Sequence, residues 1–305
     1  MKALLLALGK SLAFIALYLP CELVFIPFNF LAFYFLTGLL GFPEDLLFSE
    51  WRLKANKAAP WTAALAALLA AWIMTRFVDR RPFGSLGLKF HPTWWKELLL
   101  GILIGSGLVL LLMVSLSALG LLGTSRVYQS ELERGRILVA LALALPFHAG
   151  VAMFEEMMAR GYVFQTLIRG AGVAPAVIIS SLYFAVGHQP YPWGPVSAGL
   201  GGLLMALAYW RTRSLWFSIG IHFAFNYLHY LLRISYEPSW QSTAILAIGV
   251  GLAVMVLMRF AKPHAQMKAL WQQYVPIVQP WAYLKAWWAR RQGHAAPTED
   301  PLPKS

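Results

Sequence analysis

The chain has 305 residues, of which 59% are hydrophobic and 12% charged, and its mean hydropathy is +0.61. A soluble domain carries about 25% charged residues, so these values exclude an ordinary soluble protein and predict a multi-pass membrane protein. The net charge of +12 does not indicate a nucleic-acid partner, because the basic residues lie in short segments beside apolar runs. The single cysteine, Cys21, excludes a disulfide framework within the chain and leaves the redox compartment open.

Eight membrane spans in one all-α helical bundle are predicted from apolar runs of about 20 residues. The first run begins "MKALLLALGK" and has the look of a signal peptide, but Lys10 interrupts it and no small-residue cleavage site follows. We therefore expect a retained first span, bent near Pro20 or Pro27. The predicted spans are residues 11–41, 59–78, 98–122, 136–156, 174–189, 196–211, 214–233 and 241–260. In the third span, Gly101 and Gly105 have the spacing of glycines at close helix contacts.

The distribution of lysine and arginine predicts the orientation of the spans. The loop "TRFVDRRPFGSLGLKFHPTWWK", the "RTR" at 211–213 and the tail from Arg259 are basic, whereas residues 190–195 and 234–240 carry only Glu237. Basic loops stay inside, so we expect both termini in the cytoplasm and the protein in the cell (inner) membrane. The tail interleaves tryptophans with basic residues and predicts a segment at the membrane interface, followed by a disordered end.

The stretch "MFEEMMARGY", residues 153–162, places charged groups at the end of a long apolar run. At about 100° per helical residue, Glu156 and Arg160 lie on nearly one face and Glu155 points elsewhere. Glu156 can pair with Arg160, which leaves Glu155 as a candidate general base. The alternative is an ion-pair cluster that anchors the helix at the membrane edge.

Two further spans carry polar residues at helical spacing. In "SLYFAVGHQP", His188 lies four residues after Phe184, so the two rings share a face. In "IGIHFAFNYLHY", His222 and Asn226 are four residues apart in mid-span and must have partners there. His188 could instead be an interfacial histidine, and Asn226 could join helices by a hydrogen bond.

The order and spacing of these residues resemble those of the CAAX-prenyl-protease and bacteriocin-processing (CPBP, or ABI) family of intramembrane endopeptidases. The motifs E-E-x-x-x-R, F-x-x-x-H and H-x-x-x-N occur here on successive spans without a departure, and "RPFGSLGL" resembles the family's entry segment. The resemblance covers roughly residues 80–235. It divides the chain into N-terminal spans (1–79), a protease core (80–235), a last span (236–260) and a basic aromatic tail (261–305).

The resemblance implies a protease that acts on a membrane-associated protein or peptide in the lipid bilayer. Glu155 would activate water with help from His188, and His222 and Asn226 would donate hydrogen bonds to the oxyanion. Glu156 and Arg160 would mainly hold the helix end, with Phe184 in support. Whether the substrate is prenylated stays open.

The family is also described as metalloprotease, so a zinc ion is possible. Glu155, His188 and His222 could supply three ligands and leave a position for water, as catalytic zinc requires. We expect no obligatory metal, because Asn226 suits an oxyanion hole better than a zinc shell. The H-E-x-x-H motif is absent. His148 and His229 share faces with the motif residues, and Ser197 is expected to be a packing residue rather than a nucleophile.

Two other functions fit part of the pattern. Glu155, His188 and His222 could form the relay of a proton-coupled transporter, or the protein could be a non-catalytic scaffold or immunity protein. A transporter should show a repeated or broken-helix pattern, and a non-catalytic relative should have lost a motif residue. Neither feature is found in the sequence, which therefore favours a protease.

Overall fold

The computed structural model of the chain describes residues 2–34, 60–124, 134–188, 192–232, 234–235 and 238–275. These residues form ten α-helices and two strands of two residues each. The helices are α1 (Lys2–Tyr34), α2 (Pro60–Ile73), α3 (Trp94–Ala118), α4 (Arg134–Glu156), α5 (Gln165–Ala171), α6 (Val173–Val186), α7 (Gly194–Thr212), α8 (Leu215–Leu231), α9 (Trp240–Phe260) and α10 (Ala265–Tyr274). Strands β1 (Gly123–Thr124) and β2 (Ile234–Ser235) pair antiparallel.

The predicted all-α bundle is confirmed, since each predicted span coincides largely with one helix. In the described part of the chain, four helical stretches are by themselves long and apolar enough to cross a membrane. They are Lys2–Phe25, Pro60–Val78, Trp94–Ala118 and Trp240–Phe260. Val173–Val186 is equally apolar but shorter.

The first span lies earlier in the chain than predicted. Helix α1 begins at Lys2 rather than at residue 11 and runs through both Pro20 and Pro27, and residues 35–41 lie outside the described part. The physical reason is Lys10, whose ammonium group is 2.6 Å from the buried carboxylate of Asp79. A charged residue with such a partner does not interrupt a helix, so the apolar stretch starts before it.

The helical stretch of the fourth span continues beyond the end of α4 and reaches residue 171. A π-helical segment, Met157–Phe164, follows Glu156 directly and leads into α5. Gly172, with a φ of 87°, then separates α5 from α6. Every residue of the π-helical segment is buried, so this segment runs through the centre of the bundle.

Helices α3 and α8 cross with their backbones in contact, which confirms the prediction for Gly101 and Gly105. A Cβ atom at Gly101 would overlap the carbonyl oxygen of Phe217, and one at Gly105 would overlap that of Ile221. The contact is mutual, since a Cβ atom at Gly220 would overlap the carbonyl oxygen of Leu98. Glycine therefore allows α3 to support α8 along the stretch that leads to His222.

Helix α10, at the start of the basic aromatic tail, packs on the protein. Met267 and Trp271 are buried, and the Trp271 ring lies 5.3 Å from that of Tyr209 and 4.3 Å from the Arg213 guanidinium. The imidazole of His264, just before α10, stacks on that of His91 at 4.1 Å. The predicted interfacial and disordered parts beyond residue 275 lie outside the described residues.

Candidate active site

Three polar side chains from distant parts of the chain meet at one carboxylate oxygen. Glu155 lies in the last turn of α4, His188 follows the end of α6, and His222 lies in the middle of α8. Glu155 Oε2 is 3.6 Å from His188 Nε2 and 3.7 Å from His222 Nε2. The predicted base and both predicted histidines are therefore neighbours.

Glu156 points away from Glu155 and joins α4 to α8. Its side chain is fully buried, and its Oε1 atom accepts hydrogen bonds from Arg160 Nη1 at 2.8 Å and from His222 Nδ1 at 3.0 Å. The pair with Arg160 was predicted from helical spacing. The contact with His222 was not, because spacing within one helix carries no information about a residue on α8. Glu156 thus holds His222 as well as the helix end.

Arg160 is fully buried, and both of its Nη atoms have partners, whereas its Nε atom has none among the described residues. Its Nη2 atom donates to the carbonyl oxygen of Gly202 at 3.0 Å, and its guanidinium lies 4.4 Å from the centre of the Phe184 ring. A side chain at Gly202 would crowd this guanidinium, since a Cβ atom there would lie 3.2 Å from Nη2. Buried charges persist only when paired and hydrogen-bonded in this way.

The predicted supporting ring of Phe184 touches both histidines. Its centre lies 4.3 Å from that of His188 and 5.5 Å from that of His222. Since the same ring also lies under the Arg160 guanidinium, Phe184 packs between the cation and the imidazoles. The shared face of Phe184 and His188 is thereby confirmed.

The partners of the two histidines determine which ring nitrogen carries the hydrogen. His188 Nδ1 lies 2.6 Å from the carbonyl oxygen of Phe184, and His222 Nδ1 lies 3.0 Å from Glu156 Oε1. A carbonyl oxygen only accepts hydrogen bonds, and so does a carboxylate paired with a guanidinium. We therefore assign the hydrogen to Nδ1 in both rings, which leaves a lone pair on each Nε2 atom when the ring is neutral.

Acceptor atoms consequently converge at the centre of the site. The two Nε2 atoms face Glu155 Oε2, a buried oxygen that has no hydrogen-bond partner among the described residues. Lone pairs that face one another need a proton, a water molecule or a cation between them. A water molecule beside these three atoms can donate hydrogen bonds to the carboxylate and to an imidazole, which would polarise it.

The site is open on one side and closed on the other. The side chains of Glu155 and His188 are 27% and 35% exposed, whereas that of His222 is 5% exposed. A substrate chain can reach Glu155 and His188 from the open side. His222 is held from behind by Glu156.

Asn226 lies one turn after His222 on α8 and is half-buried. Its side chain makes no hydrogen bond to another residue in the described part of the chain. The oxyanion role of Asn226 therefore stays a prediction. Of the other residues considered, His148 lies against the rings of Tyr227 and Tyr230. His229 Nδ1 donates to the carbonyl oxygen of Phe225 at 2.8 Å.

Ser197 behaves as the expected packing residue. Its hydroxyl lies 2.9 Å from that of Thr243, so the hydrogen bond between them joins α7 to α9. This pairing gives Ser197 a structural role at the contact between two helices.

Comparison with protein families matches residues 136–228 to the model described as type II CAAX prenyl endopeptidase, Rce1-like. The predicted family resemblance is confirmed. The Rce1-like segment contains every residue of the site, from Glu155 to Asn226, and leaves α1 to α3, α9 and α10 outside it. No curated protein and no solved structure matches the chain significantly. The match supports a peptidase of the CAAX type in general.

The residues of the Rce1-like segment that could hold zinc do not form a closed metal site. Ligands about 2.0–2.1 Å from one tetrahedral zinc ion lie about 3.3 Å apart. Glu155 Oε2 is farther than that from both histidines, at 3.6 and 3.7 Å. Among the described residues, no three His, Cys, Asp or Glu side chains are arranged to hold a metal ion. The ligand types suit zinc, and zinc dependence is decided by the chelation experiment described below; no step of the proposed reaction depends on a metal.

Proposed function

We propose that the protein is an intramembrane endopeptidase that hydrolyses a peptide bond near the membrane surface in a membrane-associated protein or peptide. The observation that carries the proposal is the convergence of the Glu155 carboxylate with the Nε2 atoms of His188 and His222. The Rce1-like segment that contains them supports a peptidase. A half-buried carboxylate that faces two imidazoles and is reached from one open side suits the activation of water.

In the proposed reaction, Glu155 takes a proton from the water molecule that attacks the carbonyl carbon, and His188 holds and polarises that water. Glu155 then gives the proton to the amine nitrogen as the C–N bond breaks. His222 and Asn226 donate hydrogen bonds to the oxyanion of the tetrahedral intermediate. Since His222 Nδ1 is bonded to Glu156, its Nε2 atom can donate only when the ring carries both protons. The carboxylate of Glu156 lies at the right place to stabilise that charged ring.

The proposed substrate is a membrane-associated polypeptide. Both prenylated and unprenylated chains are compatible with the proposal. The protein is proposed to lie in the cell (inner) membrane as a multi-pass protein with both termini in the cytoplasm, because basic loops favour the cytoplasmic side. Zinc-dependent hydrolysis by the same residues is the alternative mechanism. A transporter or a non-catalytic scaffold is less favoured, since the chain retains every motif residue of a peptidase.

The experiment has two stages, since the substrate must be found before the residues are tested. Membrane proteomes of cells with and without the protein are compared for new C-termini, and a peptide that spans the cleavage site is then assayed with purified protein. Glu155→Gln and Glu155→Ala should abolish cleavage while the protein still accumulates in the membrane. Glu97→Gln is the matched control, because Glu97 also faces a histidine, His91 at 3.0 Å, outside the site. Full activity of Glu155→Gln would contradict the proposal.

A further inference from the structure

A cluster of charged side chains lies outside the candidate active site, where α1, α2 and α5 meet. The carboxylate of Asp79 is fully buried and has three cationic neighbours. Its Oδ1 atom lies 2.6 Å from Lys10 Nζ and 3.5 Å from Arg169 Nη1, and its Oδ2 atom lies 3.3 Å from Arg81 Nε. Burial raises the pKa of the Asp79 carboxyl, but the hydrogen bond from Lys10 and the charges of the three cations outweigh it and leave the pKa below its ordinary value.

The charges of this cluster do not balance. Three cations share one carboxylate, and no second carboxylate contacts Lys10, Arg81 or Arg169 within the described residues. The cluster therefore carries two excess positive charges, with Asp79 and Arg81 buried and Lys10 and Arg169 partly exposed. Unpaired charge of this kind requires a counter-charge when it is withdrawn from water, which indicates an anionic ligand.

Arg81 supplies an independent sign of a missing partner. Its Nη1 atom is occupied by Ser85 and Gln165, and its side chain is only 1% exposed. Its Nη2 atom is buried and has no hydrogen-bond partner among the described residues. Buried donors are nearly always satisfied by protein, water or ligand, so this guanidinium has a free donor within an already cationic cluster.

The position and surroundings of the cluster indicate which anion fits. Asp79 directly follows the apolar stretch Pro60–Val78, which places it at the depth where phospholipid headgroups begin. Lys10 and Arg169 are 23% and 30% exposed, so an outside ligand can reach them. Farther along α1, the side that faces away from the bundle is apolar, with Leu19 60% and Leu23 66% exposed.

We propose that Lys10 and Arg169 bind the phosphate of an anionic phospholipid, whose acyl chains enter the apolar layer of the membrane beside the bundle. The phosphate neutralises the excess charge around Asp79. Lys10 and Arg169 contact it directly, and the buried Arg81 contributes its charge from behind. Basic pockets between transmembrane helices are known to bind anionic headgroups in this way. The position of Asp79 at the end of an apolar stretch favours a membrane phospholipid over free phosphate.

The test measures lipid retention by native mass spectrometry on the full chain purified in neutral phosphatidylcholine. Phosphatidylglycerol is added, and the wild type should retain it in preference to phosphatidylcholine. Arg169→Gln and Lys10→Gln should each weaken that retention about fivefold, the effect of removing one cation near a membrane surface. Arg259→Gln, at the end of α9, is the matched control and should retain phosphatidylglycerol as the wild type does.

Three outcomes would overturn the proposal. Equal retention by the wild type and both cluster variants would show that the cluster binds no lipid. An equal loss in Arg259→Gln would show general attraction to positive charge instead of a site. Displacement of phosphatidylglycerol by inorganic phosphate would show that the cluster takes the free anion. Should Arg169→Gln fail to accumulate, Lys10→Gln carries the test, because it removes the more flexible of the two exposed cations.

Discussion

Glu155 and Glu156 are adjacent in the chain, yet they meet different partners because consecutive helical positions differ by about 100°. Glu155 is 27% exposed and faces two Nε2 atoms, whereas Glu156 is fully buried between Arg160 and His222. The two carboxylates therefore suit different roles. Glu155 can act on a water molecule, and Glu156 can orient the imidazole that faces the same position.

The first residue-scale prediction separates two contributions of Glu156, namely pairing with the buried Arg160 and orienting His222. Glu156→Ala should mainly lower the yield, since it leaves the buried Arg160 unpaired, at a cost of about 3–5 kcal/mol in stability. The double variant Glu156→Leu/Arg160→Met removes both charges and should accumulate, because replacing a buried pair by apolar residues is often neutral. Its kcat should still fall about tenfold to a hundredfold, as when a residue that orients a functional histidine is lost.

This comparison is made on kcat and KM with the same peptide. KM should change little in the double variant, because His222 is expected to act on charge that develops only in the transition state. Glu97→Gln again serves as the control, since it alters a glutamate that pairs with a histidine elsewhere. A double variant with normal kcat would mean that Glu156 only holds the helix end.

The second residue-scale prediction concerns metal. If His222 and Asn226 are oxyanion donors, His222→Ala and Asn226→Ala should each lower turnover about a hundredfold to a thousandfold. Activity of the wild type should then survive thorough chelation. Elemental analysis of purified wild type and His222→Ala checks this directly. One zinc ion per chain, lost with His222 and required for activity, would replace the proposed mechanism by a metalloprotease.

How far the sequence predicts the site depends on whether a contact lies within one helix. The Glu156–Arg160 pair and the Phe184–His188 contact follow from a spacing of four residues, and both are found. The contact between Glu156 and His222 joins residues on different helices. Periodicity cannot predict such a contact, because it does not state which helices are neighbours.

At the scale of elements, the α3–α8 crossing determines where His222 lies. The two helices touch through backbone atoms. The overlap that a side chain at Gly101 would cause therefore cannot be relieved by a change of rotamer. The glycine spacing predicted close packing but not the partner helix. The π-helical segment also escaped prediction, since "MMARGYVF" has no pattern that distinguishes it from an α-helix.

We predict that Gly101→Ala destabilises the protein by about 1–3 kcal/mol, the usual effect of overpacking a tight contact. Its turnover should fall as well, because α8 must shift and carry His222 with it. The same substitution at Gly107 is the matched control, since a Cβ atom there has no neighbour within 4 Å. Thermal unfolding in detergent measures the effect, and equal melting temperatures for the two variants would contradict the close crossing.

At the scale of the whole molecule, the cationic cluster and the candidate active site lie at different places. The cationic cluster around Asp79 adjoins the start of α1 and includes Arg169, in the last turn of α5 just before α6 begins. His188 instead follows the other end of α6. Composition and hydropathy predict the order of the eight longer apolar helices, but not the shorter helices α5 and α10. They do not predict that Asp79 draws Lys10, Arg81 and Arg169 together, because those residues lie on separate segments.

The predicted topology follows from this distribution of charge. A reporter fused after Arg80 should be cytoplasmic, and one inserted near Trp193 should be external, because basic segments stay inside. Protease accessibility or an activity-based topology reporter checks each position. A cytoplasmic result near Trp193 would mean that the spans around the active site are miscounted, and the open side of the site would then face the other leaflet.

One helix runs from residue 134 to 171 and contains the π-helical segment Met157–Phe164. This segment determines how far the side chains after it are rotated about the helix axis relative to those before it. A π turn holds about one residue more than an α turn, so this stretch is equivalent to an α-helix with one residue inserted. Deleting Gly161 would remove that insertion and rotate everything after it by about 100° relative to Glu155. Gln165 and Arg169 would then turn away from Arg81 and Asp79, while Glu155 would keep its place. The number of residues in this one helix thereby couples the position of Glu155, the proposed base, to that of the basic cluster.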